Sequence, residues 1–146
     1  AGQGLALVSY NTDAAVVTSL TSSKETLIRG VDSLSSGGGT NIPAGIEAGM
    51  SALAGADQTR ALILMSDGQD QNTEAMDLAI SRAVKENIAV FTVGLGDVDA
   101  SYLQDIASRT GGKYLQAADP EDWQYRNRKH DNSQTADPLR HAAPEQ

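Results

Sequence analysis

Cysteine is absent from the 146 residues, which excludes a disulfide framework, a thiol nucleophile and a cysteine-built zinc site. A cysteine-free chain suits an oxidising or a reducing compartment equally. Aromatic residues make up only 4% of the sequence, so the core must be aliphatic, made of Val, Ile, Leu and Ala. Histidine occurs twice, as His130 and His141, both in a polar C-terminal stretch without paired ligand spacing. The apolar-patterned region therefore holds no histidine to activate Ser66 beside Asp67 as a nucleophile. No apolar run approaches the roughly 18 residues that span a bilayer, and no signal-peptide pattern is present. Positive charge is also scarce: 11 Lys and Arg stand against 19 Asp and Glu, a formal net charge of -8. Such a surface repels phosphate backbones, which makes nucleic acid a poor partner.

What remains is enough for one domain with a single core. Residues 4–10 and 14–20 are short apolar runs separated by Asn11-Thr12-Asp13, a spacing that predicts an antiparallel hairpin. Ser22-Ser23-Lys24-Glu25 has the form of a capping box. The helix it opens carries Leu27, Ile28, Val31 and Leu34 at helical spacing, which predicts one buried face. After the loop Ser35-Ser36-Gly37-Gly38-Gly39, a second helix begins near Pro43, which a first turn tolerates. Its apolar stripe is Ile42, Ile46, Met50 and Leu53, and Gly45 and Gly49 allow close packing against a sheet.

Residues 60–66 form a continuous apolar run that predicts a strand covered on both faces, ending at Ser66-Asp67-Gly68. Met76, Ala79, Ile80, Ala83 and Val84 define a third helix, and residues 88–95 a further buried strand. Asp99 is placed to cap a fourth helix faced by Leu103, Ile106 and Ala107, which Gly111-Gly112 closes. Residues 113–117 form a last short strand, and a final helix begins at Asp119, with Trp123 and Tyr125 packing it on the sheet. The order predicts a doubly wound, mostly parallel α/β sheet with helices on both faces and one antiparallel edge hairpin. Residues 1–123 read as one domain. Residues 124–146, with Arg126, Arg128, Lys129 and no apolar period, read as a polar, flexible tail.

In an open α/β sheet, ligands bind at the carboxyl ends of the strands. Two polar features belong to that edge: the loop Gly37-Gly38-Gly39-Thr40-Asn41 leading into a helix, and Ser66-Asp67-Gly68 directly after a strand. A hydroxyl and a carboxylate suit a hard divalent cation such as Mg2+ or Mn2+. The glycines allow the loop to wrap closely. Read alone, Thr40 suits a helix N-cap or loop hydroxyl better than a metal ligand, and Asp67 equally suits a turn-forming acid. Gly94-Leu95-Gly96 lacks the third glycine of a dinucleotide-binding turn and reads as a turn into a helix.

The same residues carry a family resemblance. Gly-Gly-Gly-Thr-Asn with the following Ile-Pro-Ala-Gly-Ile-Glu-Ala-Gly resembles the second metal-site segment of von Willebrand factor A-type domains, and Ile63-Leu64-Met65-Ser66-Asp67-Gly68 resembles the third. Val90 to Gly96 is similar to the strand that follows in that family, and Leu103 to Tyr114 to its last helix and strand. The resemblance runs from about Gly4 to Trp123 and is nearest to bacterial members, including secreted and surface-anchored ones. It implies a metal-ion-dependent adhesion site, in which a cation bridges the domain to an acidic group on a protein ligand. It maps the threonine ligand to Thr40 and the aspartate ligand to Asp67, with Asn41, Gln69 and Asp70 on the ligand rim. The family's Asp-x-Ser-x-Ser segment has no match here. In the family it follows a central first strand, so the resemblance implies a chain that starts after both. Ala1 in place of Met agrees with a piece of something longer. An incomplete site holds metal weakly, and a missing central strand leaves the hairpin and the 60–66 strand with open edges.

The resemblance thus implies a protein-binding module without enzymatic activity, in a secreted, periplasmic or cell-surface setting. Two other readings stand beside it: a structural fragment without metal binding, and an interaction subunit of a chelatase-type ATPase assembly.

Overall fold

The computed structural model describes residues 4–67, 70, 72–96 and 99–117. Its elements run β1 (Leu5–Tyr10), β2 (Ala14–Thr21), α1 (Lys24–Asp32), α2 (Ile42–Ala52), β3 (Ala61–Ser66), α3 (Thr73–Lys85), β4 (Ala89–Gly94), α4 (Ser101–Thr110) and β5 (Tyr114–Gln116). The expected final helix, Trp123, Tyr125 and the tail lie outside the described residues.

β1 and β2 form the expected antiparallel hairpin, Tyr10 opposite Ala14 and Val8 opposite Val16, with a bulge near Leu7. β3, β4 and β5 form a parallel sheet in which Leu62 pairs Val90, Leu64 pairs Thr92 and Val93 pairs Leu115. Strand–helix–strand connections through α3 and α4 generate this order, and such connections are right-handed as a rule. The fold is the predicted α/β architecture, but hairpin and parallel sheet are separate. No Cα of β1 comes within 8 Å of one in β3, whereas paired strands lie about 4.8 Å apart. The Tyr10 hydroxyl nevertheless donates to the Met65 carbonyl at 2.7 Å. A tyrosine plus one hydrogen bond reaches about two strand spacings of ~4.8 Å, so the gap is one strand wide. An apolar slot of about 410 Å³ fills it, lined by β1, β3 and the Gly45–Gly49 side of α2.

Among the described elements, only α2 packs on both β1 and β3. Its stripe is buried as expected: Ile42, Ile46 and Met50 are each at most 1% exposed. A Cβ on Gly45 would lie 2.9 Å from Tyr10 Cγ, and one on Gly49 2.8 Å from Leu62 Cδ2, so both glycines serve close approach. α3 contributes Met76, Ala79, Ile80 and Ala83 to the same core, and α4 Leu103, Ile106 and Ala107. Thr110 Oγ1 accepts from the Val90 amide at 3.0 Å, and Thr92 Oγ1 donates to the Leu103 carbonyl at 2.8 Å, fixing α4 on β4. Gly111 ends α4 in the left-handed region with φ 84°.

Three expectations need correction. α1 does not bury Ile28, Val31 and Leu34, which are 50%, 53% and 43% exposed. It docks instead through Gly30, whose missing side chain admits Thr18 and Leu7 of the hairpin. The Arg60–Ser66 run is covered on one face only: Leu64 and Ser66 are buried, while Ile63 is 71% exposed. By register, Ile63, Met65 and Leu115 share the face opposite Leu64, and among the described residues α1 packs only on the hairpin. Finally, the caps are shifted by a residue. Ser23, not Ser22, takes the Thr26 amide, and Asp99 accepts from Ser101 in a turn one residue ahead of the α4 N-cap, Ala100.

Two outcomes follow from this packing. A Cβ on Gly112 would fall 2.0 Å from the Val90 carbonyl oxygen, a backbone atom that cannot swing aside. Gly112→Ala should lower stability by about 1–3 kcal/mol in urea denaturation. The open edges of β1 and β3 together with the bare Ile63 face should make residues 1–146 self-associate. Sedimentation should show species larger than a monomer, reduced in Ile63→Lys. A monodisperse wild-type monomer that melts cooperatively would contradict this.

Candidate functional site

At the carboxyl ends of β1 and β3 the sheet opens into a polar cavity of about 560 Å³. Tyr10 and Asn11 come from the end of β1, Gly37 to Thr40 from the loop before α2, and Ser66 and Asp67 from the end of β3. The topology therefore brings Thr40 and Asp67, 27 positions apart in sequence, to one cavity. Thr40 is half-buried and Asp67 exposed. Asn41 sits beside them as the N-cap of α2, taking the Ala44 amide at 3.1 Å. Thr40 is thus not the cap itself, which removes one of the two bland readings of its hydroxyl. Gln69 lies outside the described residues. Asp70 is at the edge of the cluster, with Oδ2 accepting from Ile42 at 3.0 Å and Oδ1 from Asn72 at 2.8 Å.

The glycine loop is held by the hairpin turn. The Asn41 amide donates to the Asn11 carbonyl at 2.6 Å, the Gly39 amide to Thr12 Oγ1 at 2.9 Å, and Asn41 Nδ2 to the Thr12 carbonyl at 3.1 Å. Gly38 has φ 79°, and a Cβ there would meet Asn11 Cγ at 2.9 Å, so this position needs glycine on both counts. Sequence reading took Asn11-Thr12-Asp13 only as a turn. Its role in shaping the site had no local signal; only the doubly wound topology, which puts the end of β1 at the same edge, could have revealed it.

Two tyrosines missed from sequence lie at the edge of the site, of which Tyr10 lines the cavity. Tyr10 is packed against α2 at Gly45 and Tyr102 rises from α4; both lie by Ser66. Burial raises the pKa of each hydroxyl above the ordinary 10.0, partly offset by Ser66, and the negative charge of Asp67 adds to the rise. Both therefore stay neutral hydroxyls beside the carboxylate across the physiological range.

The donor set is oxygen throughout, which suits a hard cation in kind. In number it is small: among the described residues no three His, Cys, Asp or Glu side chains gather into a metal-holding group. Thr40 and Asp67 are oxygen donors of the kind a hard cation takes, but two such donors are few for its shell.

A parallel α/β sheet with a polar cavity at its carboxyl edge defines a Rossmann-like binding fold. Within that class the chain belongs to the von Willebrand factor type A domain family, whose profile matches residues 2–128. No curated protein matches the sequence. Among solved structures, the fold is similar to von Willebrand factor type A from Catenulispora acidiphila, with a TM-score of 0.73 at 22% identity, over 81% of this chain and 30% of that one. It is similar to an aerotolerance-related membrane protein from Bacteroides fragilis, with a TM-score of 0.68 at 19% identity, over 79% and 72% of the two chains. Proximal thread matrix protein 1 from the mussel byssus, solved with a zinc-occupied MIDAS motif, gives 0.69 at 23% identity, over 80% and 31%. Two of the three thus extend well beyond the span they share with this chain.

The two tyrosines set an alkaline limit. With folded pKa values above the unfolded 10.0, the unfolded chain loses these protons first, so stability is intact below pH 10 and falls as pH rises beyond it. Urea midpoints measured from pH 8 to 11 should be flat and then decline, and Tyr10→Phe should flatten the decline.

Proposed function

We propose that this chain is a protein-interaction module whose binding face is the carboxyl edge around Thr40 and Asp67, and that a divalent cation, Mg2+ or Mn2+, assists the contact. Thr40 and Asp67 would hold the cation, and Asn41 and Gln69 would lie on the rim that meets the partner. The bound cation would supply a positive centre for an acidic group on a protein ligand. The observation that carries the reading is that Thr40 and Asp67 line one polar cavity, in a chain of the von Willebrand factor type A family. No member of this constellation forms a nucleophile–base pair, so binding rather than turnover is the proposed role. The bacterial membrane protein among the similar folds accords with a secreted, periplasmic or cell-surface setting.

A second reading, a structural fragment that binds no metal, draws on the small number of acidic donors at the site. Calorimetric titration with Mn2+ and Mg2+ separates the two. The interaction reading expects weak, saturable heat with the wild type, none with Asp67→Ala, and affinity lowered about tenfold with Thr40→Ala. Absence of heat at millimolar metal in the wild type would establish the second reading. The chelatase-subunit reading would need an ATPase-type domain in the same polypeptide.

A further inference from the structure

We propose that Asp70 is a positioning residue whose carboxylate latches the Thr40 loop to the Asp67 loop and so sets the spacing of those two donors. The inference rests on the reading of Thr40 and Asp67 as one site. Ile42, two residues after Thr40, opens α2, and its amide donates to Asp70 Oδ2 at 3.0 Å. Asp70 itself stands three residues after Asp67 in the loop that leaves β3. Its other oxygen, Oδ1, takes the Asn72 amide at 2.8 Å, an Asx turn that presents Asn72 as the N-cap of α3. One side chain therefore joins the starts of two helices across the site.

The accounting of α2's first turn shows why this bond matters. A helix leaves its first amides without internal partners. Pro43 has no amide hydrogen, the Ala44 amide goes to Asn41 Oδ1, and the Gly45 amide goes to the Asn41 carbonyl. The Ile42 amide is the remaining one, and its partner comes from 28 residues away. Asn41 and Thr12 tether the loop to the hairpin; Asp70 is the tether to the β3 side. Both bonds are charge-assisted, and such bonds are shorter and stronger than neutral ones. With both oxygens engaged by backbone amides, Asp70 serves the geometry of the loops, while Asp67 faces solvent.

Two variants test the latch. Asp70→Asn keeps the size but offers a single oxygen acceptor. Asp70→Ser keeps a short turn to Asn72 and gives up the reach to Ile42. By NMR, Asp70→Ser should speed hydrogen exchange at the Ile42 amide about tenfold, and Asp70→Asn at whichever of the Ile42 and Asn72 amides its one oxygen gives up, while the Val90 amide, held by Thr110, keeps its rate. The resonances of Thr40 and Asp67 should shift, and Mn2+ affinity should fall about tenfold. Unchanged Ile42 exchange in folded Asp70→Ser would overturn the latch, as would unchanged exchange at both Ile42 and Asn72 in folded Asp70→Asn, or faster Ile42 exchange with no shift at Thr40 or Asp67. If the wild type binds no Mn2+, the metal reading fails, and the exchange and resonance shifts still decide the role of Asp70. If Asp70→Asn does not fold, Asp70→Ser carries the same comparison.

Discussion

The packing of one helix against two strands that do not pair with each other governs everything else in this molecule. The hairpin and the parallel sheet share no ladder, so no backbone hydrogen bonds run between β1 and β3. α2 crosses the gap and buries Ile42, Ile46 and Met50 almost completely. Each such side chain contributes about 1.5–3 kcal/mol when buried. The Tyr10–Met65 bond that also spans the gap contributes about 0.5–1.5 kcal/mol. The helix therefore dominates, and it does so because Gly45 and Gly49 let Tyr10 and Leu62 approach its axis. The loop bearing Thr40 runs directly into the first turn of this helix. The position of the site thus inherits the position of α2.

Much of this was legible in the sequence, for a physical reason. Elements buried on a defined face leave a periodic trace: the α2 stripe, the α3 positions from Met76 to Ala83, and the α4 positions Leu103 and Ile106 all fell where their spacing put them. The family motifs around Thr40 and Asp67 were equally plain. Periodicity misled where apolar residues lack a described neighbour. Ile28 and Val31 of α1 and Ile63 and Met65 of β3 have the composition of a core face, but no described element covers them. A sequence states that a residue is apolar, not what lies against it. The site's supports were illegible for a different reason. The bonds from Asn11 and Thr12 to the glycine loop, and from Asp70 to Ile42, join segments 27 to 30 positions apart and depend on topology.

Two aspartates three positions apart show how environment divides roles. Asp67 is exposed at the end of a strand, and no hydrogen bond to its carboxylate occurs among the described residues. Asp70 is half-buried and takes two backbone amides. A carboxylate saturated by amides is fixed in place and poorly available to a ligand. One that faces a polar cavity keeps its lone pairs for whatever enters. The neutral hydroxyls of Tyr10 and Tyr102 near it add polarity without adding charge, so Asp67 is the principal negative charge lining the cavity.

The open slot and the site are not independent. Gly45 and Gly49 line the slot, and Thr40 precedes the first turn of the same helix. Tyr10 belongs to both: its ring packs at Gly45 beside the slot, and its hydroxyl reaches Met65, which lines the cavity. A strand that paired with β1 and β3 would satisfy two open edges at once. It would also have to fit against this glycine face and around the Tyr10 side chain. Closing the edges therefore bears on the same contacts that hold the Thr40 loop. A rearrangement of Tyr10 alone would change the distance between the end of β1, which tethers that loop through Asn11, and the end of β3, which carries Asp67.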